Sequence, residues 1–153
     1  MTATYFITAK TFHRKRLFQN QRYGELFTYS LMRWREQSAI GVHDYVIMPD
    51  HVHLLITCDE ADAPARIQQL QAGFAQELAQ QYGYEGEAWD ARFRAQLVND
   101  AADCEKCAAM IESNPVRVGF CDKPGEYRMN SVSSRWVLDP LPEKLRKPEL
   151  QTV

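Results

Sequence analysis

Two histidines one residue apart, His51 and His53, are the residues whose spacing most directly suggests chemistry. They follow a Pro49-Asp50 turn that separates two short apolar segments typical of strands. Side chains alternate between the two faces of a strand, so both imidazoles point to one side and Val52 points to the other. Two imidazoles on one rigid face can bind a metal ion, although they supply only two of its ligands. The alternative is two ordinary polar residues on the solvated face of a half-buried strand.

The length and composition indicate one globular domain. A chain of 153 residues, with 45% hydrophobic and 25% charged residues, can bury a core of its own. Because the sequence has no apolar run of membrane-spanning length and no signal-peptide pattern, we expect a cytoplasmic protein without a membrane partner. The four cysteines are too scattered for a disulfide framework. A formal net charge of −2 argues against wholesale coating of nucleic acid but allows a local basic face.

The elements that would position the histidines alternate between strand and helix patterns. Aromatic, β-branched and other apolar residues predict strands at residues 4–10, 46–48, 52–55 and 89–98. Helical spacing or capping signals predict helices at residues 24–38, 64–82 and 100–113. This order predicts a ferredoxin-like α/β (α+β) sandwich, a mainly antiparallel sheet with helices packed on one face.

Prolines suggest where the ordered elements end. Pro115 is expected to stop the third helix at about Ser113, because a proline disfavours helical backbone in the residue before it. Residues 1–138 are predicted to form the domain. Residues 139–153 contain three prolines among charged residues, so we expect a loose C-terminal tail there.

Two other clusters each allow a functional and a structural interpretation. His13 and the basic residues 14–16 follow the first predicted strand and could bind phosphate or form a solvated loop. Cys104 and Cys107 have the spacing of a redox or zinc pair, but they share one helical stripe with Ile111. Free cysteine behaves as a small buried hydrophobic residue, and no second pair has zinc-finger spacing, which favours core packing.

Three segments together resemble one family, the single-tyrosine HUH transposases, and within it the REP-associated tyrosine transposases. YVIMPDHVHLLIT at residues 45–57 matches the HUH motif, in which a large hydrophobic residue separates two histidines. AWDARFRAQLVND, from Ala88, is similar to the family's Trp-x-x-x-Phe strand. IESNPVRVGF at residues 111–120 is similar to its Asn-Pro-Val-Arg-x-Gly signature. The resemblance covers roughly residues 4–134.

The resemblance implies a ferredoxin-like fold that binds DNA hairpins with adjoining single strand, as a monomer or homodimer. It also implies a divalent metal held by His51, His53 and a polar residue of the last helix, which maps to Asn114. An amide oxygen suits Mg²⁺ or Mn²⁺, and imidazole favours Mn²⁺. The basic residues expected to bind the hairpin, through its phosphates or its base edges, include Arg14, Lys15, Arg16 and Arg117.

The nucleophile position departs from the family pattern. In such enzymes a helix tyrosine, one turn before the metal-ligand asparagine, attacks a phosphate and leaves a 5′-phosphotyrosine and a free 3′-hydroxyl. Here that catalytic position holds Met110, whose thioether has no ionisable proton and cannot form a phosphotyrosine. Ala95 and Gln96 also stand where the family often has Asp-His. The scaffold is therefore predicted to be present without its nucleophile.

Other interpretations remain open at this stage. A tyrosine near the end of the second helix, Tyr82 or Tyr84, could replace the nucleophile, whereas Tyr45 and Tyr127 are expected to be structural. A domesticated protein that grips hairpins without cleaving them would also fit the missing nucleophile, although the retained metal ligands argue against long decay. A histidine-triad nucleotide hydrolase would need a third alternating histidine, where this chain has Leu55.

Overall fold

Four antiparallel strands pair into one sheet in a computed structural model that describes residues 1–147. The strands are β1 (Thr2–Thr11), β2 (Gly41–Met48), β3 (His51–Asp59) and β4 (Trp89–Val98), in the spatial order β2-β3-β1-β4. Pro49 and Asp50 form the tight turn between β2 and β3, as the sequence predicted. Both the antiparallel pairing and the order of elements confirm the predicted ferredoxin-like α+β fold.

Three helices complete the fold: α1 (Gln21–Ser38), α2 (Ala63–Tyr82) and α3 (Ala101–Arg117). Asn20 begins α1 by accepting a hydrogen bond from the backbone N–H of Arg22, and Asp100 begins α3 in the same way through Asp103. No helix in the described part of the chain is long and apolar enough to cross a membrane.

The helices lie on both faces of the sheet, which corrects the expectation of one helical face. α1 and α2 cover the face that carries Ile7, Tyr45 and Leu54. α3 packs on the other face, against a cluster that includes Val46 and Leu55. The reason is visible in β2 and β3, where consecutive residues are apolar, so both faces of these strands need cover. The histidines lie on the α3 face.

α3 continues past the predicted stop and ends at Arg117, with Pro115 inside its last turn. Beyond Pro115 the last carbonyls of the helix remain paired, since the N–H of Val118 donates to the Asn114 carbonyl at 3.2 Å and that of Phe120 to the Pro115 carbonyl at 2.9 Å. Asn114 and Pro115 are both buried. Tertiary packing therefore outweighs the single hydrogen bond that a proline removes from a helix.

The predicted loose tail is wrong for residues 139–147. The Asp139 carboxylate accepts from Nε and Nη2 of Arg35 at 2.7 and 2.8 Å and from the N–H of Val42 at 2.8 Å. Leu145 is buried beside α3, and Lys147 pairs with Glu105 at 2.8 Å. One apolar anchor and two ion pairs thus fix this segment to the domain despite its prolines. The rest of the predicted tail, residues 148–153, lies outside the described residues.

Candidate metal and DNA site

His51 and His53 begin β3 on the α3 face, with their ring centroids 4.8 Å apart. His53 is only 8% exposed and stacks on Phe6 with a centroid distance of 5.1 Å. Its neighbours across the sheet are Thr8 on β1 and Val46 on β2. The pair therefore shares one face as predicted, and the alternative of a solvated face does not apply to His53.

Hydrogen bonds hold both imidazoles through the same ring nitrogen. Nδ1 of His51 lies 2.7 Å from a carboxylate oxygen of Asp50, and Nδ1 of His53 lies 3.0 Å from the hydroxyl of Thr8. These bonds leave Nε2 as the nitrogen available for a metal in each ring. A carboxylate on the opposite nitrogen is the usual support of a metal-binding histidine, because it fixes the tautomer and orients the ring.

Arg14 contacts the Asp50 carboxylate that orients His51. Its Nε donates to Oδ2 of Asp50 at 3.0 Å, so Arg14, Asp50 and His51 form a continuous chain of contacts. Arg14 and the preceding His13 both have left-handed backbone, with φ of 54° and 53°. Such a conformation is costly for residues other than glycine.

Electrostatics keep His53 neutral over the physiological range. Burial, together with the smaller effects of the charges of His51 and Arg117, lowers the pKa of His53 to about 4, against a backbone hydrogen bond with Ile7 that raises it. Burial alone would raise the pKa of Asp50, but the hydrogen bond to His51 and the charges of His51 and Arg14 together lower it. The site thus presents a neutral imidazole and an ionised supporting carboxylate, both of which favour metal binding.

Asn114 comes from the C-terminal part of α3, where it is only 6% exposed. It follows the buried Ile111 by one turn and therefore lies on the helix face that packs on the sheet. α3 packs against β3, the strand that carries both histidines. Within residues 1–147 no group of three or more His, Cys, Asp or Glu could hold a metal, so a metal bound by the two histidines would need a ligand of another type, for which the Asn114 amide is a candidate.

Met110 and His53 line one groove of about 640 Å³ between α3 and β4. Met110 is 42% exposed and lies one turn before Asn114. The other lining residues come from two strands and are Phe6, Thr8, Lys10, Asp90, Arg92, Phe93, Arg94 and Gln96. A thioether therefore lines the same groove as His53, at the chain position where the family resemblance implies a phenol.

The groove contains basic residues that the sequence analysis missed. Lys10, Arg92 and Arg94 are all exposed and lie on the α3 face of the sheet. The signal was available, because Arg92 and Arg94 alternate along β4 and must share a face. Ala95 and Gln96 are the two residues of this strand that differ from the family pattern. Gln96 lines the groove, whereas Ala95 pairs with Ile7, whose side chain lies on the opposite face.

The tyrosines considered as substitutes are placed elsewhere. Tyr82 ends α2, which covers the opposite face, and it packs on Tyr23 with centroids 5.4 Å apart; Tyr84 contacts the same ring at 6.0 Å. Tyr127 donates its hydroxyl to the Ile47 carbonyl at 2.5 Å, and burial raises its pKa to about 12. Tyr45 is 2% exposed. The structural interpretation of Tyr45 and Tyr127 is therefore confirmed.

The remaining sequence candidates separate into two groups. Lys15, Arg16 and Arg117 are exposed and can reach an external ligand. Cys104 and Cys107 are free and buried against the sheet, which confirms that they belong to the core.

The chain belongs to the family described as Transposase IS200 like, whose model matches residues 2–114 and so includes both histidines, Met110 and Asn114. No curated protein matches the sequence. The fold is similar to that of a REP-associated tyrosine transposase solved with a REP hairpin (TM-score 0.71, 17% identity, 97% of this chain and 93% of that chain). A second similar structure is described as a transposase from Deinococcus radiodurans R1 (TM-score 0.57, 17% identity, 69% of this chain and 86% of that chain). The predicted family relationship is confirmed.

Proposed function

We propose that this chain is a REP-associated member of its family that binds DNA hairpins with adjoining single strand and holds a divalent metal, but forms no covalent link to DNA. The observation that carries the proposal is the shared groove of His53 and Met110. In this groove His53 is oriented by a hydrogen bond with Thr8, and Met110 is a side chain that cannot attack phosphorus.

His51, His53 and Asn114 would hold the metal, with Mg²⁺ or Mn²⁺ as the ions that suit two imidazoles and an amide oxygen. A bound ion of this kind would polarise a phosphodiester oxygen. The chain's own contribution is to orient the imidazoles. Asp50 and Thr8 hold the two Nδ1 atoms, and burial keeps His53 unprotonated.

The proposed loss of strand transfer follows from the chemistry of Met110. Transfer needs an oxygen nucleophile that bonds to phosphorus while the 3′ oxygen of the broken bond leaves and takes up a proton. A thioether sulfur has no proton to give up and would have to become a sulfonium ion. The tyrosines considered as substitutes are buried, hydrogen-bonded or associated with the opposite face.

Hairpin binding is supported by the REP hairpin in the similar structure and by the exposed basic residues near the site. We propose Lys15, Arg16 and Arg117 as phosphate contacts. Arg14, which the sequence placed in the same group, stays a proposed DNA contact, and its Nε also donates to the Asp50 carboxylate beside His51. Phosphate contacts release counterions, so affinity should fall steeply with added salt.

The proposal is tested with a labelled imperfect hairpin that carries a single-stranded extension, incubated with protein and Mn²⁺. A native gel reports binding and a denaturing gel reports covalent capture. We expect the unmodified protein to give a salt-sensitive native complex and no covalent band. Met110→Tyr should add a covalent band, because it places a phenol in the groove beside His53.

Ala109→Tyr is the matched control, since it adds a phenol at an exposed position of α3 that does not line the groove. It should give no covalent band. A covalent band with the unmodified protein would contradict the proposed loss of transfer. Equal affinity for the hairpin and for random duplex at low salt would contradict the proposed DNA partner.

A further inference from the structure

A separate cavity, which we call the α1–loop cavity, lies between α1 and the loop at residues 124–136. Its volume is about 480 Å³, within the usual range of small-molecule sites. The buried Tyr45 and the side chain of Met129 form part of its wall. Met129 approaches α1 so closely that a Cβ on Gly24 would clash with its sulfur. The cavity therefore opens beside a tight contact between the loop and the helix.

Hydrogen bonds fix the loop that forms one wall of this cavity. The side chain of the buried Asn130 donates to the Pro124 carbonyl at 2.9 Å and accepts from the N–H of Ser133 at 3.0 Å. The Ser133 hydroxyl lies 2.9 Å from the Gly125 carbonyl oxygen and 2.6 Å from that of Tyr127. The wall is thus formed in advance, so binding does not require the loop to become ordered.

Two exposed aromatic rings line the cavity, one from each of the elements that form it. Tyr29 of α1 is 55% exposed, and Trp136 of the loop is 41% exposed. The guanidinium carbon of Arg33 lies 5.5 Å from the centroid of the Tyr29 ring, a cation–π contact that restrains this ring. Aromatic rings at the surface of a cavity suit a planar ligand, because every nucleobase has a π face that can stack on them.

The charged side chains of the lining match the other parts of a nucleotide. Arg128 and Arg135 line the cavity, and within residues 1–147 neither forms a salt bridge. Guanidinium groups bind phosphate with two parallel hydrogen bonds. Glu25 and Glu126 also line the cavity and can accept from the exocyclic amino group of a base. Because two acids balance the two cations, the lining suits a base with one phosphate better than a polyphosphate.

Another cavity, of about 370 Å³, connects this site with the proposed hairpin contacts. Arg16 lines it, and it shares Gln21, Arg128 and Met129 with the α1–loop cavity. Arg16 is one of the residues proposed to bind the hairpin. A nucleotide of the bound DNA can therefore reach the α1–loop cavity over a continuous surface.

We propose that the α1–loop cavity is a nucleotide-binding site separate from the groove of His53 and Met110. It binds one nucleobase with an exocyclic amino group on Tyr29 and Trp136, and one phosphate on Arg128 or Arg135. A free mononucleotide and a nucleotide of bound DNA both present this chemistry. The site goes beyond the proposed function because it uses neither the metal ligands nor the nucleophile position, and only the DNA source rests on hairpin binding.

Calorimetric titration with adenosine 5′-monophosphate (AMP) and inosine 5′-monophosphate (IMP) tests the site. We expect saturable binding of AMP and weaker binding of IMP, in which an oxo group replaces the amino group. Trp136→Ala should lower the AMP affinity about 5-fold or more, the loss that follows removal of one base–aromatic stack. Tyr29→Ala should do the same without altering the loop. Tyr82→Ala is the matched control, because Tyr82 is also 41% exposed but does not line the cavity, and it should leave the AMP affinity unchanged.

Competition with the labelled hairpin distinguishes the two sources of the nucleotide. If the hairpin displaces AMP and both variants weaken hairpin binding, the cavity holds a nucleotide of the DNA. If the hairpin and AMP bind together and the variants leave the hairpin affinity unchanged, it holds a free mononucleotide. Binding of AMP without binding of the hairpin would contradict the proposed function and leave the site supported. The site is overturned if neither variant changes the affinity for AMP or for the hairpin, or if IMP binds as tightly as AMP.

Discussion

The two faces of the sheet are packed in different ways. On the α1/α2 face, Phe18, Phe27, Phe74 and Trp89 form a continuous aromatic cluster with centroid distances between 5.4 and 5.9 Å. On the α3 face, small residues such as Cys104 and Cys107 pack beside buried polar groups, and a groove remains open.

The two faces therefore have different roles: the α1/α2 face stabilises the fold, and the α3 face carries the groups suited to chemistry. Aromatic rings bury large areas and interlock, so the α1/α2 face can supply most of the free energy of folding. Buried polar groups on the α3 face cost desolvation energy and acquire shifted pKa values, as His53 and Asp44 do. Groups with shifted pKa values beside an open groove are typical of functional sites.

The largest expected effect is on the aromatic face. Phe74→Ala removes a fully buried ring and should lower the free energy of unfolding by about 3–5 kcal/mol, because it leaves a cavity in a tightly packed cluster. Urea denaturation measures this change. Met110→Ala, on the partly exposed groove side, serves as the comparison and should cost less than about 1 kcal/mol. Similar losses in the two variants would contradict the division between the faces.

The second prediction concerns the buried Asp44 on β2. Burial raises its pKa to about 6, although Ser131 and the backbone N–H of Tyr45 donate to it. The folded state therefore binds this proton more tightly than the unfolded state. The stabilisation is complete below about pH 3.8 and is lost as the pH rises through 6, with an upper limit of about 3 kcal/mol.

Asp44→Asn isolates this effect, because every other titratable group is present in both proteins. The unfolding free energy of the unmodified protein minus that of the variant should fall between pH 4 and pH 7. Denaturation at several pH values checks the sign. A difference that rises with pH would mean that the carboxylate is stabilised in its ionised form.

The third prediction tests the support of the metal site. Asp50→Ala removes the acceptor of the His51 Nδ1–H, so Mn²⁺ affinity should fall about 10- to 100-fold in calorimetric titrations. Nitrogen NMR of the metal-free protein should show that His51 loses its preference for a proton on Nδ1. Arg16→Ala, a neighbouring cation outside this chain of contacts, should change neither quantity. Unaltered affinity and tautomer in Asp50→Ala would show that Asp50 has no positioning role.

The smallest expected effect lies where the C-terminal segment meets α1 and β2. Asp139→Ala removes the partner of Arg35 and an acceptor for the Val42 N–H, and should cost about 1–2 kcal/mol of unfolding free energy. This segment should also become more sensitive to proteolysis, while Mn²⁺ binding remains. If proteolysis is unchanged, Leu145 and the Lys147–Glu105 pair alone hold the segment.

Local patterns determined most of the elements. β4 was predicted with its observed bounds, α2 with its C-terminal end, and the Pro49-Asp50 turn with its position. These features depend on neighbours in the chain, namely alternation along a strand, capping, and the fixed backbone of proline. The common face of His51 and His53 followed from the same alternation.

Only the tertiary structure decided which partners these elements find. The Arg14–Asp50 contact spans 36 residues and the Arg35–Asp139 contact spans 104, so no local pattern could reveal either. Pro115 remains helical because Asn114 and Pro115 are buried, and α3 takes the second face because β2 and β3 are apolar on both sides. The sequence by itself determined the elements and the chemical groups they carry. Packing between distant residues decided that Met110, His53 and the cations of β4 share one groove, because burial energy depends on contacts that form only in the folded chain.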